Sequence, residues 1–510
     1  MSEQIIKVKS LPGIKRDGTQ FEGDNYVDGQ WVRFDRGFPR KIGGYYSISK
    51  YLSEVSRALH AYTQNNLTYV HSGSASYLEN FYIQNNSTSV IYNRTPASGF
   101  TASADNMWQF DVMRKSVGAD NNKIIAQVAP NLLDITSTSA GAIFTGDLTA
   151  TTALAAVTLP TDGDASGGIV VLHPYLFFYG VDGYVGWSVP GDPTDLSGTG
   201  SGAANVTGQK VLRGMPLRGG PGNSPSGLFW SADALIRCSF VGGDSIFQFD
   251  TISAESSLMG ANAVIEYDGV FYWAGVDRFL MFNGVVREIP NMLNKNYFFD
   301  GLNYTYRQKV FAFKVPRFGE IWWCYPRGDA TECTHAVIYN VREDTWYDTA
   351  LPESGRSAAT SPSVFRKPLL TGVLPNSSNK YKLWVHESGT DAIDGTQQQP
   401  ILSFFETADF ALPTTTGESR ALTVRIVEPD FVQSGDIEAV VTGRFNARSQ
   451  AVDSAALTIV ANPTTAQEVI RFKDQRRLLR FRFTSNCIGG DYQTGQILAH
   501  VLPGDERAYG

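Results

Sequence analysis

With 510 residues, 42% of them hydrophobic, the chain can bury more core than one ordinary domain holds, and its length points to about two to four units or one large repetitive one. Only 18% of the residues are charged, against roughly 25% in an average globular protein, so little material is left for solvated helix faces, while 30 Phe and 23 Tyr suit the half-buried surface of a sheet. A net charge of −7 excludes a protein that grips nucleic acid through surplus Lys and Arg, although it is compatible with a weakly repulsive wall past which DNA slides.

Residues 1–44 read as an extended, turn-rich arm punctuated by Asp17-Gly18, Asp28-Gly29 and Gly43-Gly44, with a short alternating strand from Trp31 to Arg36. The cluster Arg33, Arg36, Arg40 and Lys41 offers a phosphate contact; the commoner use of such a cluster is pairing with carboxylates such as Asp28 and Asp35. From Arg57 to Asn93 short strands (RALHAYTQ, LTYVHSG, SYLENFYIQ, SVIYN) alternate with Asn-, Ser- and Gly-rich turns. Trp108–Asp111 and Lys123–Ala126 continue the series. A Thr/Ala/Gly-rich stretch, 137–168, reads as an inserted mobile loop or β-arm, and 190–207 as a polar loop.

Residues 264–290 (VIEYDGVFYWAGVDRFLMFNGVVREIP) are the clearest antiparallel meander. Asp268-Gly269 and Asn283-Gly284 supply the positive φ angles of two-residue hairpin turns between aromatic and β-branched runs. Short helical pieces are expected over 291–309. In Glu320–Tyr325 the adjacent Trp322 and Trp323 must point to opposite faces of a strand, one into a core and one towards a neighbouring sheet or subunit. Residues 376–420 read as a linker with weak strands, and six alternating strands from Ala421 onwards as a β-sandwich over 421–510. Hairpin-linked strands recur at roughly 45- to 60-residue intervals between Lys41 and Leu370, the signature of propeller blades, six or seven in number. The expected fold is therefore all-β: a β-propeller-like array of four-stranded blades over 45–375, followed by a small C-terminal β-sandwich.

Chemistry is sparsely signalled. Gly198–Ala203 offers GxGxxA, but without a strand before it or a helix after it. Asp162–Gly167 resembles half a calcium loop whose twelfth position, His173, is the wrong ligand. Cys324, Cys333 and His335 lack a fourth zinc ligand at a credible spacing. Ser224 lacks the GxSxG context, and the six His lie on separate strands. Four scattered Cys form no disulfide framework, Met1-Ser2-Glu3-Gln4 opens no signal peptide, and no run of 18 apolar residues predicts a membrane span. No catalytic, cofactor-binding or metal-ligating residue is assigned, no cofactor is expected, and the chain reads as a non-enzyme.

Several segments together resemble the tail hub, nozzle or packaged-DNA stabilisation proteins of short-tailed bacteriophages. They are Leu11–Ile14, Arg16–Thr19, Val27–Gly29, Val32–Phe34 and Arg40–Tyr45 in the arm; Trp187-Ser188 and Gly191–Asp195 in the centre; Phe271–Trp273, Phe279–Gly284 and Glu320–Pro326; and Val427–Phe431 and Leu479–Phe483 near the end. Residues 137–168 and 376–420 depart from that pattern. The resemblance implies a structural subunit of the virion tail, assembled as a homohexameric ring below the head–tail connector. Such a ring extends the DNA channel, retains the packaged genome and opens on ejection, with fibre or spike proteins outside and double-stranded DNA passing without sequence-specific contacts. The rival expectation is a carbohydrate-binding or depolymerising propeller acting in host adhesion, which needs a pocket with stacked aromatics and two carboxylates roughly 5–10 Å apart.

Overall fold

Hairpin-linked strands of alternating apolar character have one stable arrangement here, a ring of radial sheets around a common axis. The computed structural model describes residues 3–504 except 20, 85–86, 101–106, 115–121, 130–140, 218–223, 363–366, 412–420, 447 and 462–468. Seven sheets follow one another as blades whose inner strands begin at residues 58, 108, 168, 211, 264, 311 and 356. Neighbouring inner strands pack side by side, and blade 7 meets blade 1 to close the ring. The fold is an all-β propeller.

Closure uses a strand from outside the series. Tyr45–Leu52, which precedes blade 1, pairs antiparallel with Tyr381–His386 of blade 7, so the last blade is completed by the start of the chain. Ile48 and Leu52 join Leu59, Val70 and Phe81 of blade 1 and Leu369 and Leu383 of blade 7 in one buried cluster. Residues 376–420, expected as a linker with weak strands, supply Tyr381–His386, Ala392–Asp394 and Gln397–Gln399 to the blade 7 sheet. Ala142–Asp147 and Ala155–Val157 are the two outer strands of blade 2, and Gly202–Asn205 is the outer strand of blade 3. Of the two readings of 137–168, loop or β-arm, the strands favour the second, while low side-chain complexity hid the strand in 190–207; residues 137–140, and 412–420 of the 376–420 segment, lie outside the described residues.

Blade 5 is the expected meander. Asp268 (φ 50°) and Gly269 (φ 80°) make a two-residue turn that pairs Tyr267 with Val270. At Asn283-Gly284 the expectation fails in detail: only Gly284 has positive φ, and Phe282 pairs with Val286 across a three-residue loop.

The C-terminal strands form two packed sheets that are incomplete without the N-terminal residues. One sheet runs 470–476, 422–434, 491–503, 38–41 and 32–35, with 4–8 also beside 491–503. The other runs 28–30, 403–406, 478–485, 437–444 and 452–453, with 457–459 beside 437–444. The expected extended arm is therefore part of the sandwich: its alternating apolar residues Val32 and Phe34 need a core, and the sandwich interior supplies one. Trp31 carries the chain from one sheet to the other in a left-handed conformation (φ 53°), costly for a bulky side chain and held by its surroundings. Its amide donates to Thr349 Oγ1 at 3.0 Å, its indole to the Gly43 carbonyl at 3.2 Å, and its carbonyl accepts from Ser403 Oγ at 2.9 Å.

Blades 3 and 4 approach so closely at the axis that a Cβ on Gly167 would overlap the Val211 carbonyl oxygen, a backbone atom that cannot rotate away. Gly167→Ala should cost about 2–3 kcal/mol by overpacking. Gly208→Ala, at an exposed position with open space around it, should be near-neutral. Denaturant unfolding of both variants checks this, and equal midpoints would contradict the close approach.

Candidate functional site

Ligands of propellers commonly enter along the axis, and here side chains fill much of it. At one end Met107 and Ala129 of blade 2 pack against Ala261, which leads into blade 5 on the far side of the ring. Gln109 then spans three blades: its amide donates to the Gly167 and Leu212 carbonyls at 2.8 and 3.1 Å, and its oxygen accepts from Tyr179 Oη at 2.8 Å. Arg213 reaches Asn262 Oδ1 at 3.5 Å and acts electrostatically on His60 and Asp111. The Asp111 carboxylate is occupied by the Val112 and Val171 amides, each at 2.8 Å. A cavity of about 200 Å³ remains, lined by Arg57, Leu59, Arg213, Asn262, Phe313 and Thr360 among others. At about 30 Å³ per water it holds a few solvent molecules and no nucleic-acid duplex.

The structure brings together two histidines that the sequence left apart. His60 and His71 are directly opposed across adjacent strands of blade 1, and both rings lie 6.5 Å from Phe110. Burial pushes His60 down to about 4, with Arg213 adding to the shift, and His71 well below the usual imidazole range, with Arg94 adding to it. They are held neutral as filling between blades. His386, also kept neutral by burial, stacks on Tyr45 at 5.1 Å and accepts from Arg356 Nε at 3.2 Å.

Each weak motif has a structural occupation. Asp164 of the calcium-like stretch accepts from Ser166 N and Oγ and from Val181 N at 2.6–3.0 Å, which fixes the start of blade 3. Gly198–Ala203 runs from a loop into a blade strand, so no helix N-terminus follows it. Cys333 donates to the Lys309 carbonyl at 3.2 Å, burial pushes both the Cys324 and Cys333 thiols up, and His335 bonds Thr334 at 3.1 Å. Among the described residues no group of three or more His, Cys, Asp or Glu side chains is placed to hold a metal ion, and no helix is long and apolar enough to cross a membrane.

The densest polar constellation joins propeller to sandwich, and it uses residues of the basic cluster. Arg33, 1% exposed, forms an ion pair with Glu320 of blade 6 at 2.8 Å and donates through Nη1 to Glu387 of blade 7 at 2.8 Å. Burial alone would lower its pKa; the two carboxylates outweigh that and hold it charged. Glu320 also receives the Tyr347 hydroxyl at 2.6 Å and the Trp322 indole at 2.9 Å. Phe318 covers the guanidinium at 3.8 Å. Lys41 donates to the Gly490 carbonyl, Arg40 pairs with Asp35 at 3.2 Å, and Arg36 is exposed. Farther along, Arg16 pairs with Asp348 at 3.0 Å and with Asp28, and Gln30 exchanges two hydrogen bonds with Ala350 on the outer strand of blade 6. The carboxylates that Arg33 meets lie some 290 and 350 residues away in sequence, so no local signal could have named them.

No family model and no curated protein matches the chain. Among solved structures it is similar to the WD40 β-propeller domain of Doa1, with 11% identity over 70% of this chain and 97% of that one and a TM-score of 0.38.

Removing Arg33 leaves a buried carboxylate unpaired, so Arg33→Met should destabilise by about 3–5 kcal/mol. Adding Glu320→Gln should recover part of that loss, as read by denaturant unfolding. The buried histidines predict a pH dependence of definite sign. Below pH 6.5 the unfolded chain takes up protons that His60 and His71 refuse in the fold, so stability falls as pH drops from about 6.5 towards 4. Melting temperatures across that range should show the fall, and His71→Gln, which does not titrate, should make it shallower while His60, His335 and His386 still contribute.

Proposed function

We propose that the chain is a structural subunit of a bacteriophage tail nozzle, a ring below the head–tail connector that retains the packaged genome and lets it out on ejection. One observation carries the reading: propeller and sandwich share one continuous buried core. Phe313, Trp322 and Tyr347 of blade 6, Trp384 of blade 7, Trp31 and Phe34 of the arm, and Phe405, Phe481 and Phe483 of the sandwich belong to a single cluster. A wall that resists an internal load must transmit force without a hinge, and a shared core with a buried ion pair across it removes the hinge.

The N-terminal, central and C-terminal resemblances to nozzle proteins support the same reading. The filled axis adds a condition: DNA passes through a lumen bounded by several copies and never through one propeller. A carbohydrate-cleaving propeller would need paired carboxylates at its pocket, and among the described residues the lining of the axial cavity contains neither Asp nor Glu. Electron microscopy of the purified chain and of virions should show closed rings of several copies, six on the nozzle reading. A single copy per tail would overturn the proposal, and polysaccharide cleavage abolished by one Asp or Glu substitution would replace it with the rival.

A further inference from the structure

The charge of the chain is unevenly placed. Residues 45–399 hold 24 Lys and Arg against 31 Asp and Glu, while the remainder holds 19 of each, so the whole net charge of −7 lies on the propeller. Within it, residues 124–209 contain seven Asp and no Lys, Arg or Glu. Those residues make most of blade 2 and all of blade 3.

The outer strand of blade 3, Gly202–Asn205, is an edge of small uncharged residues. Asp182 is exposed beside its Asn205 end, where the Asn205 amide donates to the Asp182 carbonyl at 3.0 Å. Asp195 is exposed in the loop that leads to its Gly202 end, and Asp162 is exposed near Tyr184. No cation of residues 124–209 balances them.

On the sandwich the opposite charge is gathered. Ile470–Arg476 is an outermost strand; Ile470 and Phe472 point inward, while Arg471 and Lys473 are exposed. On the adjoining strand a bulge between Val424 and Ile426 turns Arg425 outward beside them. Glu428, farther along the adjoining strand, bonds His500 at 2.7 Å, and the half-buried Asp474 follows Lys473 on its own strand.

The two surfaces are separate patches: the sandwich is fixed to blades 6 and 7, and blade 3 stands midway round the ring from both. A patch and its complement elsewhere on the molecule make a heterologous contact, which builds a ring where the rotation between copies closes.

We propose that the Arg425–Arg471–Lys473 face of one copy docks on the acidic outer edge of blade 3 in a second copy, and that this contact, repeated head to tail, closes the ring. The assignment rests on the ring reading above and adds the surfaces to it. Charges on an edge strand also deter unwanted strand pairing. That guard role would be served equally by carboxylates, which separates the two explanations.

The test reverses each side of the intact chain: Arg425→Glu/Arg471→Glu/Lys473→Glu in one variant and Asp162→Lys/Asp182→Lys/Asp195→Lys in another. All six positions are exposed, so both variants should stay folded; the melting temperature should hold for the basic-side variant and fall modestly for the acidic-side one, where Asp195 accepts from the Ser197 and Gly198 amides and Asp182 has φ 52°. Each variant alone should raise the concentration for half-assembly at least tenfold by light scattering or mass photometry. A chain carrying all six substitutions, or an equimolar mixture of the two variants, should assemble again. Assembly of the parent should weaken with added salt, as screening of an exposed charge contact requires. Reversed variants that assemble like the parent overturn the assignment and leave the ring reading standing. A parent chain that stays monomeric in solution and occurs once per tail overturns both.

Discussion

The guanidinium of Arg33 sits where three parts of the chain meet, and the carboxylates that hold it belong to two different blades. Taking such charges out of water costs several kcal/mol each, which is returned only when the geometry is good and the remaining lone pairs are satisfied. Here Glu320 has the Tyr347 hydroxyl and the Trp322 indole as well as the guanidinium, and Phe318 excludes water from its face. Apolar residues of similar volume could match the stability. They could not match the directional demand, because the fork of Arg33 meets both carboxylates only when blades 6 and 7 and the arm are all in register. The next elements depend on that register. Phe38–Lys41 completes a sandwich sheet, and Tyr45–Leu52, a few residues on, closes the propeller. One short run of chain therefore finishes two domains.

Seams between blades explain the aromatic composition. Trp108 lies between blades 1 and 2, Trp187 between 3 and 4, Trp230 and Trp273 between 4 and 5, and Trp323 and Trp346 between 5 and 6. Trp322 and Trp384 serve the seam between 6 and 7. Large flat rings fill the wedge-shaped gap that twisted radial sheets leave between them; the indoles of Trp108, Trp273, Trp323 and Trp346 also donate to carbonyls, Trp323 to Ala263 at 3.0 Å. Two seams have no Trp in their clusters: Phe178 with aliphatic side chains fills the one between blades 2 and 3, and the strand supplied from outside the series holds the closing one.

That pattern also decides what could be read from the sequence. Local signals were legible where backbone chemistry is local: Asp268-Gly269 turns as its φ angles require, and the alternation of Trp322 and Trp323 sends them into two different cores. Both cores are internal, so neither ring waits for a subunit. Asn283-Gly284 shows the limit, since the dipeptide favours a turn without fixing the loop length. Blade 2 was obscured because strands such as Ala155–Val157 are held by hydrogen bonds to a neighbour, which small residues make as well as large ones. The arm was misread for a related reason. Strands 28–30 and 38–41 are short, and the strands that take them into the two sheets lie at 403–406 and 491–503, beyond the reach of any window. The histidine pair in blade 1 needed a register, and register is a property of two strands together.

A closed axis changes where the function of a propeller can reside. With Met107 and Ala261 meeting across one end and Gln109 bridging three blades, the interior is committed to holding the ring shut. What remains available is the outside: loops, outer strand edges and the faces of the sandwich. On that exterior the acidic excess belongs to the propeller, while the sandwich and arm are neutral as a whole. A propeller surface turned towards a lumen would therefore repel phosphate within a Debye length of about 8 Å at physiological salt. On the ring reading proposed above, such repulsion would hold a duplex off the wall rather than trap it by counterion release. Arg425, Arg471 and Lys473 stand exposed on the part of the chain without net charge, so the two signs are separated between sandwich and propeller.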